Sequence, residues 1–291
     1  MQNIMTVDVE EYFHPTEVAA FVAPGEWSSL PSRIERETFR VLDLLARHRA
    51  RATFFILGWV AERNPKLVRE IQAAGHEIGC HSYGHRLVYE LTPDEFRNDT
   101  ARALTAIGDA CGIRPQIYRA PSYSIVKTSM WALEILVELG FTHDSSVVPI
   151  VHDRYGIPGT VRSAHVIETP AGPILEVPVA TVELWPGNVV PVGGGGYLRL
   201  MPYRYTAAGI RRVNRRDEQP ACIYFHPWEL DSAQPRLAQG MVARLRTYMG
   251  IAGMDRKIER LLTDFQFAGV SEVYPWARMQ NFALKAKNSD L

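Results

Sequence analysis

The sequence predicts an α/β protein, a distorted (β/α)7-type barrel with a C-terminal helical extension. Short apolar runs alternate with longer amphipathic segments through the first half of the chain, as in parallel strands joined by helices. Polar side chains gather where the apolar runs end, which is typical of the catalytic face of such barrels. The composition, 46% hydrophobic and 22% charged residues, is that of an ordinary globular protein.

Periodicity and helix-end signals define the individual elements. Thr92 precedes an amphipathic segment, and Glu95 three residues on completes a capping box. Ser32 stands in a similar position before an earlier apolar stripe, so we expect it to be an N-cap. Strands are predicted at residues 5–10, 51–57, 77–80, 116–119, 141–148, 221–225 and 268–273, and helices at residues 31–49, 64–74, 93–111, 127–139, 203–215 and 235–265, the last with a break near 250–253.

Residues 149–202 are rich in glycine and proline and predict loops and small hairpins over the barrel mouth. Four consecutive glycines, residues 193–196, lack the Lys-Ser/Thr that follows a phosphate-binding loop, so we predict no nucleotide site. They form either a flexible turn or a backbone wall beside substrate. No linker divides the chain. We expect one barrel domain, residues 1–291, with an extension from about residue 230 and a polar, frayed tail at 285–291.

Charge and hydropathy narrow the function classes. Lysine and arginine together number 32, as do aspartate and glutamate, and this balance argues against a nucleic-acid or membrane-surface protein. The N-terminus has no basic head with an apolar core of signal-peptide length, and no stretch reaches the roughly 20 apolar residues that span a bilayer. We therefore expect a cytoplasmic protein without a transmembrane segment, either monomeric or a homo-oligomer. Three cysteines cannot all pair, and Cys80 and Cys222 lie in apolar runs typical of buried thiols.

His81 and His85 are the first candidates for a metal site. They follow a short apolar run and stand four residues apart, so both imidazoles can face one ion if the chain turns between them. By themselves they are equally consistent with two loop histidines that bond to backbone. Asp8 and Glu10 fall on one side of the first strand, and two adjacent carboxylates are best tolerated beside a cation.

Further polar strand ends complete a constellation. Arg119 with Tyr123, Asp144 and His226 each follow an apolar run, and a parallel barrel brings such ends to one face. One carboxylate and two imidazoles would hold a metal with open positions for water and substrate. Asp8 could then take a proton from water while His226 gives one to the leaving group. Asp144 either tunes His226 or caps a turn.

The ordered motifs resemble those of the polysaccharide deacetylases of carbohydrate esterase family 4. That family carries an Asp-containing first strand end, His-Ser/Thr-x-x-His, Arg-x-Pro-x-Tyr, an Asp/Ser segment and a Leu-x-His-like strand. The corresponding stretches here are residues 8–10, 81–85, 119–123, 143–146 and 224–227. The Asp-Val-Glu-Glu-Tyr-Phe start and the His-Pro-Trp-Glu-Leu stretch resemble a branch that occurs with exopolysaccharide and exosortase systems of Gram-negative bacteria.

The resemblance implies roles for the non-metal residues. Asp8 would be the catalytic base and His226 the catalytic acid. Arg119 would orient the base, and Tyr123 would offer its backbone N–H to the oxyanion.

The resemblance also implies that His81 and His85 bind a divalent metal, normally zinc. Most family members have a second aspartate directly after the first, whereas this chain has Val9, which cannot bind metal. We expect Glu10 to replace that ligand, because it shares a face with Asp8 and has a longer arm.

Three functional hypotheses remain open on the sequence. The first is a metal-dependent enzyme that removes acetyl groups from N-acetylhexosamine units of a bacterial polysaccharide or its precursor, with an N-acetylated oligo- or polysaccharide as substrate. The second is a hydrolase of a non-sugar C–N bond, of the allantoin or cyclic-imide type, which the altered first motif permits. The third is an inactive sugar-binding member of an export complex, although an intact acid and base argue against it.

Overall fold

The structure, a computed structural model, describes residues 1–277. The strands are β1 (Gln2–Val9), β2 (Thr53–Ile56), β3 (Glu77–Cys80), β4 (Ile117–Tyr118), β5 (His143–Asp144), β6 (His165–Thr169), β7 (Gly172–Glu176), β8 (Thr181–Trp185), β9 (Asn188–Pro191), β10 (Cys222–Phe225) and β11 (Gln266–Ala268). The α-helices are α1 (Thr16–Ala19), α2 (Ile34–Arg47), α3 (Gly58–Arg63), α4 (Pro65–Ala73), α5 (Pro93–Cys111), α6 (Trp131–Glu138), α7 (Gly195–Leu200), α8 (Tyr203–Arg216), α9 (Met241–Tyr248), α10 (Met254–Asp264) and α11 (Val270–Val273).

A parallel sheet runs through the centre of the molecule. Its strands follow the order β10, β1, β2, β3, β4, β5 and β7, with β6 antiparallel at the end beside β7. β1 is buried along its length after Gln2, as expected for a parallel strand covered on both faces. The α/β class predicted from the sequence is confirmed, and the seven parallel strands along this path agree with the expected arrangement.

Irregular backbone joins the two ends of the parallel path. The chain after β7 approaches β10, where the Ala180 N–H donates to the Cys222 carbonyl at 2.8 Å. The Tyr224 N–H in turn donates to the Gly193 carbonyl at 2.6 Å. Gly194 allows this approach, because a Cβ there would lie 2.1 Å from the Tyr224 carbonyl oxygen.

The two helix-start predictions have different outcomes. Thr92 caps α5 as predicted, since its side chain accepts from the Glu95 N–H and Glu95 bonds back to the Thr92 N–H. The prediction that Ser32 caps the helix that follows it, α2, is wrong. The Glu11 carboxylate does so instead, because it accepts the backbone N–H groups of Arg33 and Ile34 at 3.0 and 3.2 Å.

Other boundaries depend on contacts distant in sequence. The strand predicted at 268–273 is wrong: β11 ends at Ala268, and the Val270 N–H donates to Thr53 Oγ1 at 2.8 Å as α11 begins. The predicted strand at 141–148 pairs only over β5. No pattern in the sequence indicated α3 or α7; α3 starts where backbone carbonyls of Ser82 and Tyr83 accept its first N–H groups.

The second half adds two hairpins and a helical layer. Residues 149–202 contain small hairpins, as predicted, but hairpin β6–β7 extends the central sheet, because β7 pairs parallel with β5. Hairpin β8–β9 forms a separate two-stranded sheet. The break predicted near 250–253 separates α9 from α10.

No helix within residues 1–277 is long and apolar enough to cross a membrane. The tail predicted at 285–291 lies outside the described residues. That residues 1–291 form one domain stays a prediction.

Candidate active site

The polar strand ends meet at the carboxyl edge of the parallel sheet. Asp8 lies near the end of β1, and His81, Arg119 and His226 follow β3, β4 and β10 directly. Since carboxyl ends of parallel strands share one edge, these four positions come together as the sequence predicted.

Glu10, His81 and His85 form a compact cluster, here called the donor triad. The Nε2 atoms of His81 and His85 lie 3.0 and 3.1 Å from Glu10 Oε1. All three residues are buried. Glu10 reaches them because its backbone N–H donates to the Asp8 carbonyl at 3.0 Å, a tight turn that ends the strand.

The hydrogen-bond pattern of His81 fits a bound cation. Its Nδ1 lies 2.7 Å from the Arg119 carbonyl oxygen, which can only accept, so Nδ1 carries the proton. Its Nε2 faces Glu10 Oε1 at 3.0 Å, and at this separation a proton or a metal ion must lie between the two atoms. One carboxylate and two imidazole nitrogens are a ligand set that zinc accepts.

Electrostatics favour a charged Glu10. Burial alone would raise the pKa of this carboxyl. The charges of His85 and His226, with hydrogen bonds from His81 and His85, outweigh burial and hold the pKa of Glu10 well below its usual range.

Asp8 is held by a fully buried arginine. Arg119 Nη1 donates to Asp8 Oδ1 at 2.8 Å and to Thr6 Oγ1 at 2.7 Å. The other side of the guanidinium donates to the carbonyl and hydroxyl oxygens of Ser145. Although burial disfavours the charged guanidinium, the Asp8 carboxylate beside it raises the pKa of Arg119. One carboxylate oxygen of Asp8 is thereby fixed, while Oδ2 faces the cleft side, 3.8 Å from His226 Nε2.

His226 is oriented by a residue that the sequence reasoning missed. Its Nδ1 lies 3.0 Å from Glu229 Oε2, and its backbone N–H donates to the same oxygen at 2.8 Å. Burial opposes the imidazolium, but Glu10, Glu229 and Asp8 together raise the pKa of His226 to about 9. Its Nε2 points toward Asp8 and toward Glu10 Oε1, which is 3.6 Å away.

Arg199 anchors Glu229 in turn. Arg199 Nη1 donates to Glu229 Oε1 at 2.6 Å, and both side chains are almost fully buried. The sequence carried one local signal for Glu229, its position three residues after His226, where it completes a capping box. Nothing local indicated Arg199, which lies 30 residues away on α7.

Tyr123 is at the site, but its backbone N–H is already engaged. It donates to the Ala120 carbonyl at 3.1 Å in a short helical turn. Ser122 and Tyr123 have positive φ values of 50° and 56°, and Ser82 and His85 likewise have positive values of 63° and 51°. Non-glycine residues in this left-handed region cost of order 1–3 kcal/mol each and cluster at functional sites.

Asp144 does not reach His226. Its carboxylate accepts from the Ser146 hydroxyl at 2.6 Å, and Glu176 on the neighbouring β7 donates to it. Of the two roles left open for Asp144, the turn cap is the one observed, because its Oδ2 accepts the Ser146 backbone N–H at 3.2 Å. Asp144 does not tune His226, since Glu229 occupies the Nδ1 side of that ring. Cys80 is buried, which raises the pKa of its thiol, and it lies outside the ligand clusters of the described residues.

A cleft of about 330 Å³ opens over the site. Asp8, Glu10 and His226 line its base. The second half of the chain supplies much of the wall: His152, Arg154, Tyr155, Gly195, Gly196, Tyr197, Trp228, Arg246 and Thr247. The glycines at 195 and 196 thus form a backbone wall, one of the two alternatives open on the sequence.

Comparison with protein-family models gives two adjacent matches. Residues 30–143 match the model described as Polysaccharide deacetylase. Over these residues the chain is therefore similar to the polysaccharide deacetylase family. Residues 145–275 match a model described as Domain of unknown function (DUF3473). The deacetylase match includes His81 and His85, whereas Asp8 precedes it and His226 falls in the second match.

Two curated relatives of the deacetylase family illustrate the likeness. A peptidoglycan-N-acetylglucosamine deacetylase of Bacillus cereus is 36% identical over 98 residues, which cover 33% of this chain and 36% of that protein. A chitooligosaccharide deacetylase of Bradyrhizobium sp. is 35% identical over 124 residues, which cover 42% of this chain and 56% of that protein. The matched segments therefore span well under two thirds of either relative.

Solved structures support the deacetylase fold. A Mycobacterium smegmatis protein assigned as a polysaccharide deacetylase aligns with a TM-score of 0.63 at 20% identity, covering 96% of this chain and 90% of that one. A pseudoenzyme of carbohydrate esterase family 4 from Bacillus anthracis aligns with a TM-score of 0.50 at 15% identity, covering 94% and 64%. At these identities the likeness concerns the fold.

Proposed function

We propose that this protein is a metal-dependent hydrolase that removes acetyl groups from N-acetylhexosamine units. The observation that carries the proposal is the placement of two independent proton-transfer groups beside the donor triad. Asp8 is fixed by Arg119 on one side, and His226 is fixed by Glu229 on the other. A binding protein has no need of a separately oriented acid and base.

In this proposal each side chain has one task. Asp8 accepts a proton from the attacking water, because Arg119 binds Oδ1 and leaves Oδ2 available. His226 donates a proton to the departing nitrogen as the C–N bond breaks, which yields acetate and a free amine. The Glu229 carboxylate beside Nδ1 favours the imidazolium that supplies this proton.

The donor triad would hold a divalent metal, for which zinc fits the ligand set. Such an ion, when bound, would polarise the acetamide carbonyl as a Lewis acid. The Tyr123 N–H is the proposed partner of the developing oxyanion, and it would share or leave its present acceptor, the Ala120 carbonyl.

For the substrate we propose an N-acetylated oligo- or polysaccharide of bacterial origin. The names of the curated relatives, which act on peptidoglycan or chitooligosaccharide, support this class. The exopolysaccharide context rests on the resemblance of the first strand end and of the stretch after His226 to the exosortase-associated branch.

Hydrolysis of a non-sugar C–N bond is the second candidate. The observation that favours it is the first motif, where Val9 is buried in the core and Glu10 supplies the carboxylate. Inactivity is the third, since the Bacillus anthracis pseudoenzyme shares the fold.

Acetate release from N-acetylglucosamine oligomers, combined with elemental analysis of the purified protein, tests the proposal. We expect bound metal and acetate release, and a His226→Ala rate lower by about 10²–10⁴-fold. His165→Ala is the matched control, because that imidazole lies on β6 outside the cleft. Metal-loaded protein that releases no acetate, or an unchanged His226→Ala rate, would contradict the assignment. Turnover of a cyclic imide by metal-free protein would favour the second candidate.

A further inference from the structure

Helix α9 exposes an apolar surface beside the cleft. Met241 and Val242 are 77% and 61% exposed, and Leu245 and Met249 are 45% and 46% exposed. Exposed apolar side chains that occur singly need no explanation, but four within one short helical segment do.

The exposed side chains share one face of the helix. At about 100° per residue, positions 241, 242, 245 and 249 fall within an arc of about 100°. Thr247, only 1% exposed, lies roughly opposite the centre of that arc and faces the protein. The most outward surface of α9 is therefore its apolar surface, the reverse of an ordinary amphipathic surface helix.

Two arginines flank this surface. By the same rotation, Arg244 and Arg246 lie on opposite sides of the apolar arc, and both are exposed. Residues 241–248 include no acidic residue, so the helix itself contributes two positive charges. Arg246 also pairs with Asp153 at 3.1 Å across the rim of the cleft.

A further exposed apolar side chain lies at the cleft mouth. Leu200, at the end of α7, is 47% exposed and lines the cleft. α7 is tied to α9, because Arg199 donates to the Arg246 carbonyl and the Gly250 backbone packs against Arg199. Whatever covers the α9 face therefore lies directly beside the entrance to the active site.

We propose that the α9 face, Met241, Val242, Leu245 and Met249 with its flanking arginines, docks on an anionic lipid bilayer. An apolar stripe bordered by arginine is the pattern of helices that lie in the membrane interface. Four side chains fall far short of the roughly 20–30 residues per partner in a stable protein interface, which argues against a second copy as the occupant. The even charge balance of the whole chain does not oppose this, since the charged residues of α9 itself are the two arginines that flank the apolar arc.

Docking in this way places the rim of the cleft close to the membrane surface. A saccharide attached to a lipid would then reach Asp8 and His226 without leaving the bilayer. The docking proposal is independent of the deacetylase proposal, because binding to a vesicle requires no turnover.

Vesicle co-sedimentation of the full chain tests the docking, with vesicles of phosphatidylglycerol mixed with phosphatidylcholine and vesicles of phosphatidylcholine alone. We expect binding to the anionic vesicles that weakens with added salt and falls at least about 10-fold in a Met241→Ser/Leu245→Ser variant. Val161→Ser/Trp185→Ser is the matched control, since these residues are 50% and 61% exposed outside α9.

Several outcomes would overturn the docking proposal. One is equal sedimentation of the Met241→Ser/Leu245→Ser variant and the parent; another is no preference for anionic vesicles. If the parent protein does not bind vesicles but light scattering shows a dimer, and the same variant is monomeric, the α9 face would be assigned to self-association. Vesicle binding that appears only after truncation following Ala277 would assign the face to the chain's own C-terminal segment. An unchanged circular dichroism spectrum and Tm in the variant separate these results from misfolding.

Discussion

The side chains of the candidate site fall into two groups: those proposed to bind metal or transfer protons, and those that orient them. Glu10 is the carboxylate that both imidazoles of the donor triad approach, although the sequence places it two residues from Asp8 rather than one. The tight turn after β1 accounts for the spacing, because it brings the longer side chain back to the same side. Val9 meanwhile packs in the core.

Replacement of Glu10 by alanine should reduce the metal content of the purified protein. The change removes the one carboxylate of the donor triad and leaves two imidazoles, too few for a closed site. Elemental analysis after dialysis measures the effect, with Glu35→Ala, an exposed position on α2, as the control. Full metal content in Glu10→Ala would assign the third ligand to another group.

Replacement of Glu229 by glutamine should lower kcat by at least about 10-fold while KM changes little. The amide keeps the shape of the side chain but no longer offers a charged acceptor to His226 Nδ1, so the acid is less well oriented. Steady-state kinetics measures the split. A matching loss in Arg199→Lys, with partial activity in Glu229→Asp, would support a positioning role. Loss of folding alone would appear instead as a lower Tm with unchanged kcat for the folded fraction.

Helix ends and glycine turns decide how the wall of the cleft is built. α5 begins with a complete capping box, while the segment before α7 runs so close to β10 that only glycine fits. The contribution of each of these local features to the free energy of unfolding can be measured separately from activity.

Substitution of Thr92 by alanine should lower the free energy of unfolding by about 1 kcal/mol. It removes the acceptor for the Glu95 N–H at the start of α5. Urea unfolding measures the change. Thr105→Ala, an exposed position inside the same helix, is the control and should be neutral or slightly stabilising, because alanine is the better helix former.

Substitution of Gly194 by alanine should destabilise the protein by at least about 1–3 kcal/mol. The new Cβ would lie 2.1 Å from the Tyr224 carbonyl oxygen, so the contact between this turn and β10 must open. Gly253→Ala provides the comparison, because a Cβ added there would have no neighbouring atom within 4 Å. Equal unfolding midpoints for the two variants would show that the turn at Gly194 can rearrange without loss of stability.

Across the whole molecule, one buried acid pair should make stability depend on pH. Burial raises the pKa of both Asp144 and Glu176, and the charge of Asp144 raises the pKa of Glu176 well above its usual range. Above about pH 4.3, the ordinary value for glutamate, the folded state therefore binds more protons than the unfolded state. The free energy of unfolding should fall as pH rises from there through the folded pKa.

The Glu176→Gln variant should weaken this fall. Its amide can still donate to Asp144 but does not titrate. At a pH above the folded pKa of Glu176, the variant should therefore avoid a loss in the free energy of unfolding. That loss is about 1.4 kcal/mol for each unit by which the folded pKa exceeds the unfolded one. Urea titrations at several pH values compare the variant with the parent and with Glu35→Gln. Parallel curves for all three proteins would mean that the pair does not hold an extra proton.

The parts of this fold that sequence predicted are those with local causes. The His81 and His85 spacing, the capping box of α5 and the alternation of β1 all depend on residues within a few positions of each other. Glu229 and Arg199 escaped prediction because their contact joins positions 30 residues apart. The end of β11 was misplaced because Thr53, far away in sequence, starts α11. The engagement of the Tyr123 N–H was also not predictable, because it depends on a turn with positive φ values, and no glycine in the stretch indicates such a turn.

β1 precedes the other described strands along the chain, yet its pairing is completed only by strands near the other end of the described residues. β2 can pair with one side of it early in synthesis, but the other side waits for β10 and then β11, more than 200 residues later. Until then a long apolar strand edge stays open, and such edges invite aggregation. Early release of the nascent chain before residue 222 would leave Asp8 on an unfinished sheet without His226, so an incomplete product could neither close this edge nor perform the proposed chemistry.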